Sequence, residues 1–241
     1  MRLPAESSSS WSHIGFASFT LGSLRAWSEF SDLEPSRREV LAASARSLQS
    51  SVESLLKKAR ETQDRVIFGR PTAQAKQNAS LTLLRRRLAE ALGFVSAKVG
   101  GGSKDHPRVR EFLPQLLAGI TRAPLADRPR LAAEAATRLE ASTFALPDKA
   151  ELVARLKEAA EGAKMAIDAA EKAWSAWTMD RSEEVLAKGR LRLELERIYG
   201  LLRAEFPGQS SFVESFFLRG DRPTEGPAEE PQPAGDTGTP A

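Results

Sequence analysis

Residues 148–206 read DKAELVARLKEAAEGAKMAIDAAEKAWSAWTMDRSEEVLAKGRLRLELERIYGLLRAEF. Leu152, Leu156, Ala160, Ala163, Ile167, Ala170, Trp174 and Trp177 recur at steps of three and four, the spacing of one side of an α-helix. Leu191, Leu195, Ile198, Leu202 and Phe206 form a second such stripe, stopped by Pro207 and Gly208. The expectation is two long helices, about 148–179 and 182–206. Asp148 and Glu151, following Pro147, have the spacing of a capping box at the first of them.

The same signals recur upstream. Val40, Leu41, Leu48, Val52, Leu55, Leu56 and Ala59 mark a helix over about 36–66, with Pro35, Ser36 and Glu39 at its start. Gly69, Arg70 and Pro71 read as a turn. Leu81, Leu84, Leu88, Leu92, Val95 and Val99 mark a helix over about 72–99, ended by Gly100–Gly102. Shorter apolar segments at Trp11–Phe30, Arg108–Ile120 and Pro129–Phe144 also read as helices. The composition agrees. Among 241 residues there are 37 Ala and 29 Leu but only 9 Val and 5 Ile, which favours helix over strand. The fold class expected is all-α.

The two halves resemble each other. Phe30, Leu33 and Pro35 precede the first long helix as Phe144, Leu146 and Pro147 precede the third. The pairs Ser36/Glu39 and Asp148/Glu151 match. So do Leu84, Leu88, Gly93, Val95 and Val99 with Leu191, Leu195, Gly200, Leu202 and Phe206. After a glycine-bearing break, Phe112 and Leu113 match Phe216 and Phe217. The pattern predicts two duplicated helical hairpins that pack as one antiparallel four-helix-bundle-like core. The segments are then 1–34, a partly helical approach; 35–113, a basic hairpin; 114–138, connecting short helices; 139–218, an acidic hairpin; and 219–241. That last segment is acidic, rich in Pro and Gly and without large apolar residues, so it is expected to be disordered.

Few chemistries are supported. There is no cysteine and there are two histidines, which removes disulfides and thiolate sites. His13 and His106 have no second ligand at helical spacing and are expected to face solvent. Gly100-Gly101-Gly102-Ser103-Lys104 lacks the P-loop spacing and follows a helix rather than a strand. Glu158, Glu161, Asp168 and Glu171 alternate with Lys157, Lys164 and Lys172 like an ion-paired, solvated face. Trp174 and Trp177 sit on an inward stripe and are expected in the core. No catalytic residue, cofactor or metal is expected, and no small-molecule substrate is evident.

Charge is distributed less evenly than the net value of +3 suggests. Residues 35–113 hold 16 basic and 7 acidic side chains, net +9; residues 139–218 hold 11 and 14, net −3. Lys57, Lys58, Arg60, Arg65, Arg70, Lys76, Arg85, Arg86 and Arg87 are the candidate contacts for an anion or nucleic acid. The leading expectation is a non-enzymatic helical structural or protein-interaction protein, self-associating or docking a protein partner. An anion- or nucleic-acid-binding module is the alternative. No apolar run reaches the roughly 18–20 residues of a membrane span, and the N-terminus lacks a signal-peptide pattern, so no membrane contact and a cytoplasmic location are expected.

Overall fold

A computed structural model describes residues 3–218; the expected disordered tail, 219–241, lies outside the described residues. All regular structure in the described residues is helical. In chain order the α-helices are α1 (Ser10–Glu29), α2 (Pro35–Asp64), α3 (Arg70–Lys98), α4 (Pro107–Phe112), α5 (Leu116–Thr121), α6 (Arg128–Ala141), α7 (Lys149–Glu205) and α8 (Ser210–Ser215). A π-helical segment, Arg65–Gly69, joins α2 to α3, and a 3-10 turn, Leu125–Asp127, precedes α6. Among the described residues no helix is long and apolar enough to cross a membrane.

Two expected boundaries do not exist, and so the hairpins they would have made are not seen. The turn at Gly69–Pro71 is replaced by continuous helix. Gly69 keeps right-handed helical angles, and the Arg70 N–H reaches the Arg65 carbonyl, five residues back. This widened turn accommodates Pro71, which has no N–H to give and needs room for its ring. The break near Met179–Ser182 is also absent, and α7 runs for 57 residues. Ser182 does not cap a new helix; its hydroxyl donates to the Thr178 carbonyl, as Thr178 does to that of Trp174. Such back-bonding lets Ser and Thr sit inside a helix. The glycine break after α3 does occur. A Cβ on Gly100 would lie 2.5 Å from the Ser103 carbonyl oxygen, and Gly101 and Gly102 take φ of +59° and +91°.

The described residues divide into two compact units, one of residues 3–57 with 186–218 and one of Lys58–Val185. We call them the terminal and the central unit. In the terminal unit, Phe16, Ala17 and Leu24 of α1, Leu41, Leu48, Val52 and Leu55 of α2, and Leu191, Leu195, Ile198 and Leu202 of α7 form one core. Phe206, Val213, Phe216 and Phe217 complete it, and Phe217 stacks on Phe16 and meets Tyr199 edge-on. In the central unit, Leu84, Leu88, Leu92 and Val95 of α3 pack with Val109, Phe112 and Leu113, with Ala132, Ala135, Ala136 and Leu139 of α6, and with Val153, Leu156, Ala160 and Ala163 of α7. Alanine at so many contacts lets the helices approach closely.

Neither histidine lies free in solvent as expected. His106 caps α4, its Nδ1 accepting the Arg108 N–H at 3.2 Å. His13 is fully buried in the terminal unit. Its Nδ1–H donates to the Ser9 carbonyl at 3.0 Å, and its Nε2 faces Arg192 at 3.3 Å. Arg192 also bonds the Pro4 carbonyl, and Lys188 bonds the carbonyls of Glu6 and Ser8, so the two cations strap residues 4–8 down. Burial, and then the charges of Lys188 and Arg192, push the His13 pKa below its ordinary value of 6.5 against the opposing Ser9 bond. The folded chain therefore refuses a proton that the unfolded chain accepts once the pH falls below about 6.5. Urea midpoints measured from pH 7.5 down to pH 5.5 are expected to fall in the wild type and to fall less in His13→Gln. Parallel profiles for the two proteins would contradict this.

Candidate interaction surface

Within the central unit the packed core reaches Leu84 on α3 and Ile167 on α7. Beyond those residues, nothing from 63 to 83 and nothing from 168 to 183 is buried. Two helices lying against each other shield only their shared seam; full burial of a stripe needs a further layer. The result is a set of large apolar side chains in water. Val66, Ile67 and Leu83 are exposed, and so are Phe68 at 66%, Trp174 at 52% and Met179 at 65%. Isolated exposed leucines are unremarkable in a soluble protein, but a run of this kind on one section is not.

Polar contacts hold the seam in register. The Lys58 ammonium lies 2.6 Å from Glu183 and 2.9 Å from Glu61, and those two carboxylates, Glu183 first, raise its pKa. Arg65 Nε donates to Asp180 at 3.0 Å. One turn on, the Arg70 guanidinium lies 4.1 Å from the Trp174 ring centre and 4.5 Å from that of Trp177. Rising numbers on one strand of the seam meet falling numbers on the other, so the pair is antiparallel. The tryptophans are thus not the core residues that their stripe suggested. They form an arginine-stacked pair, their ring centres 5.1 Å apart, on a section that no third helix among the described residues covers.

Glu61, Asp180 and Glu183 bring carboxylate oxygens within 4.8 Å of one another, close enough to hold a cation. Lys58 and Arg65 already occupy that position, and the cluster reads as an ion-paired staple. Two of the grooves along α7 in the central unit lie nearest this section. One, of about 490 Å³, runs between α3 and α7, with Ser80, Leu83 and Arg87 on one side and Arg155, Ala159, Gly162 and Met165 on the other. The second, of about 710 Å³, lies between α6 and α7 over Ala133, Ala160 and Ile167, with Lys164, Asp168 and Glu171 along its edge.

The nine candidate cations do not converge. Lys58, Arg65 and Arg70 are gathered at the seam, each engaged as described above. Arg87 pairs with Glu90 at 2.8 Å, and that bond, with the charges of Arg155 and Arg86, holds Glu90 below the usual carboxylate range. Lys57, Arg60, Lys76, Arg85 and Arg86 are exposed and bond to no carboxylate among the described residues. Arg70 and Arg85 are 15 helical residues apart, about 22 Å, so the nine do not make one patch.

A charge contrast runs along the pair. Between Arg65 and Ala89 there are six cations and no carboxylate; between Glu158 and Glu184 there are seven carboxylates and three cations. That contrast was the sequence signal for this surface. Comparison with protein-family models, with curated proteins and with solved structures finds no match.

Proposed function

We propose that the chain is a non-enzymatic helical protein-interaction protein whose docking surface is the uncovered α3–α7 section of the central unit. The observation that carries this reading is the exposure of Phe68, Leu83, Trp174 and Met179 where neither helix buries a residue. Burying one such side chain contributes about 1.5–3 kcal/mol, so a partner covering several of them gains a large driving force. The π-helical segment supports the same site, since such widened turns are frequent at functional sites.

The duplication belongs to this reading in a revised form. Each half has a short helix, a long helical run, a glycine-bearing break and a short helix. Phe112/Leu113 are buried in the central core and Phe216/Phe217 in the terminal one. We take the repeat to be this helix–long helix–helix module rather than a hairpin.

A second reading, binding of an anionic polymer, is supported by Lys76, Arg85 and Arg86, which have no carboxylate bonded to them among the described residues.

Two measurements separate these readings. A photo-reactive benzophenone residue at position 68 or 165, irradiated in cells of the source organism, is expected to give protein adducts. The same group at exposed position 154 is expected to give none. Equal labelling at all three positions, or none anywhere, would contradict the docking surface. For the second reading, affinity for a generic DNA duplex should fall with salt, and Arg85→Ala with Arg86→Ala should lower the slope by about 2 if both contact phosphates. An unchanged slope removes that reading.

A further inference from the structure

Resting on the docking surface proposed above, we infer that its occupant is a second copy of this chain. The two copies join through their α3–α7 sections into a four-helix bundle in which each α3 lies between two α7 helices.

Shape is the first argument. Met165 and Met179 are 14 residues apart, two heptads, and so project from the same side of α7. Gly162, Ala169 and Ala176 recur at seven-residue spacing beside them. The α3–α7 groove confirms the direction, since Gly162 and Met165 line it opposite Ser80 and Leu83. This side of the pair therefore opens as a shallow channel past Gly162 and Met165, whereas Trp174, nine residues or half a turn from Met165, projects from the opposite side and stays outside this interface. Leu83 at its edge is exposed, as are Met165 at 60% and Met179 at 65%. A two-helix section lacks two helices of a closed bundle, and a second copy brings two of the right length.

Charge selects the copy over an unrelated helix. The π-helical segment and α3 together carry six cations and no carboxylate from Arg65 to Ala89, while α7 is net acidic from Glu158 to Glu184. With a two-fold axis parallel to the helices, each basic α3 faces its own acidic α7 and that of its partner. The charges then alternate around the bundle, and every neighbouring pair is antiparallel. A two-fold interface of this kind is self-complementary by construction. The area is also adequate. Two helical runs of about 20 residues lie side by side over roughly 30 Å by 20 Å. Side-chain relief brings that near the ~800 Å² per partner of a stable interface.

Sedimentation velocity of the full chain over a range of concentrations tests the inference. The wild type is expected to sediment as a dimer. Leu83→Asp combined with Met165→Asp is expected to raise the dimer dissociation constant at least tenfold, with helical circular dichroism unchanged. Met179→Asp alone should act in the same direction, and Met165→Leu should leave the dimer intact. A wild type that stays monomeric at every concentration overturns the inference, and so does a dimer indifferent to all three aspartates. Mass spectrometry of the adducts from positions 68 and 165 separates this failure from that of the docking surface. Adducts to another protein from a monomeric chain would refute the second copy and leave the surface standing, whereas the absence of any adduct would refute both.

Discussion

An unbroken helix from Lys149 to Glu205 buries side chains only where another element lies against it. Its inner stripe finds such cover twice: from Leu152 to Ile167 in the central unit, and from Ala187 to Leu202 in the terminal unit. Among the described residues, 168–183 find only a single facing helix, and none of them is fully buried. The length of α7 follows from its hydroxyls turning back onto their own helix at Thr178 and Ser182 instead of capping a new one. The exposed apolar section follows from that length. A chain that turned at residue 180 would have had no such section to present.

What holds this section is modest in energy and specific in register. Ion pairs at the surface, such as Arg65 with Asp180, contribute about 0–1 kcal/mol. A guanidinium stacked on exposed rings, such as Arg70 on Trp174, contributes about 0.5–1 kcal/mol. These terms fix which residue of α3 faces which residue of α7. They are smaller than the gain from covering even one or two of the exposed side chains. In the docking proposed here hydrophobic burial would therefore dominate the energetics, and the alternating charge would set the orientation.

The helical fold was largely legible in the sequence, because helical periodicity and the alanine–leucine composition both report local structure. The buried stripes Leu84–Val95 and Leu191–Leu202 lie where their spacing put them. Glycine breaks were legible for a steric reason, since a side chain at Gly100 collides with the Ser103 carbonyl. The continuity at Pro71 and Ser182 was not, because a proline tolerated by a π-turn and a serine bonded back to its helix leave the same letters as a turn and a cap. Trp174 exposes the limit of periodicity. Spacing shows which way a side chain points, and says nothing of whether a third helix comes to cover it. The burial of His13 likewise depends on Arg192 and Lys188, about 180 residues away in sequence, and no local pattern announces that. Of the candidate cations, Lys58, Arg65 and Arg70 do lie at the candidate surface, but as parts of the seam that builds it.

Hydrogen exchange read at two protein concentrations tests the central claim most directly, since it asks whether this section is bare in the single chain and covered in the pair. Amides in 66–83 and 168–183 are predicted to exchange fast at high dilution and to gain protection at high concentration. Amides in 88–95 and 191–202, already buried in their own cores, are predicted to stay equally protected at both. Uniform protection of all four segments at high dilution, or no gain in the first two on concentration, would contradict the account.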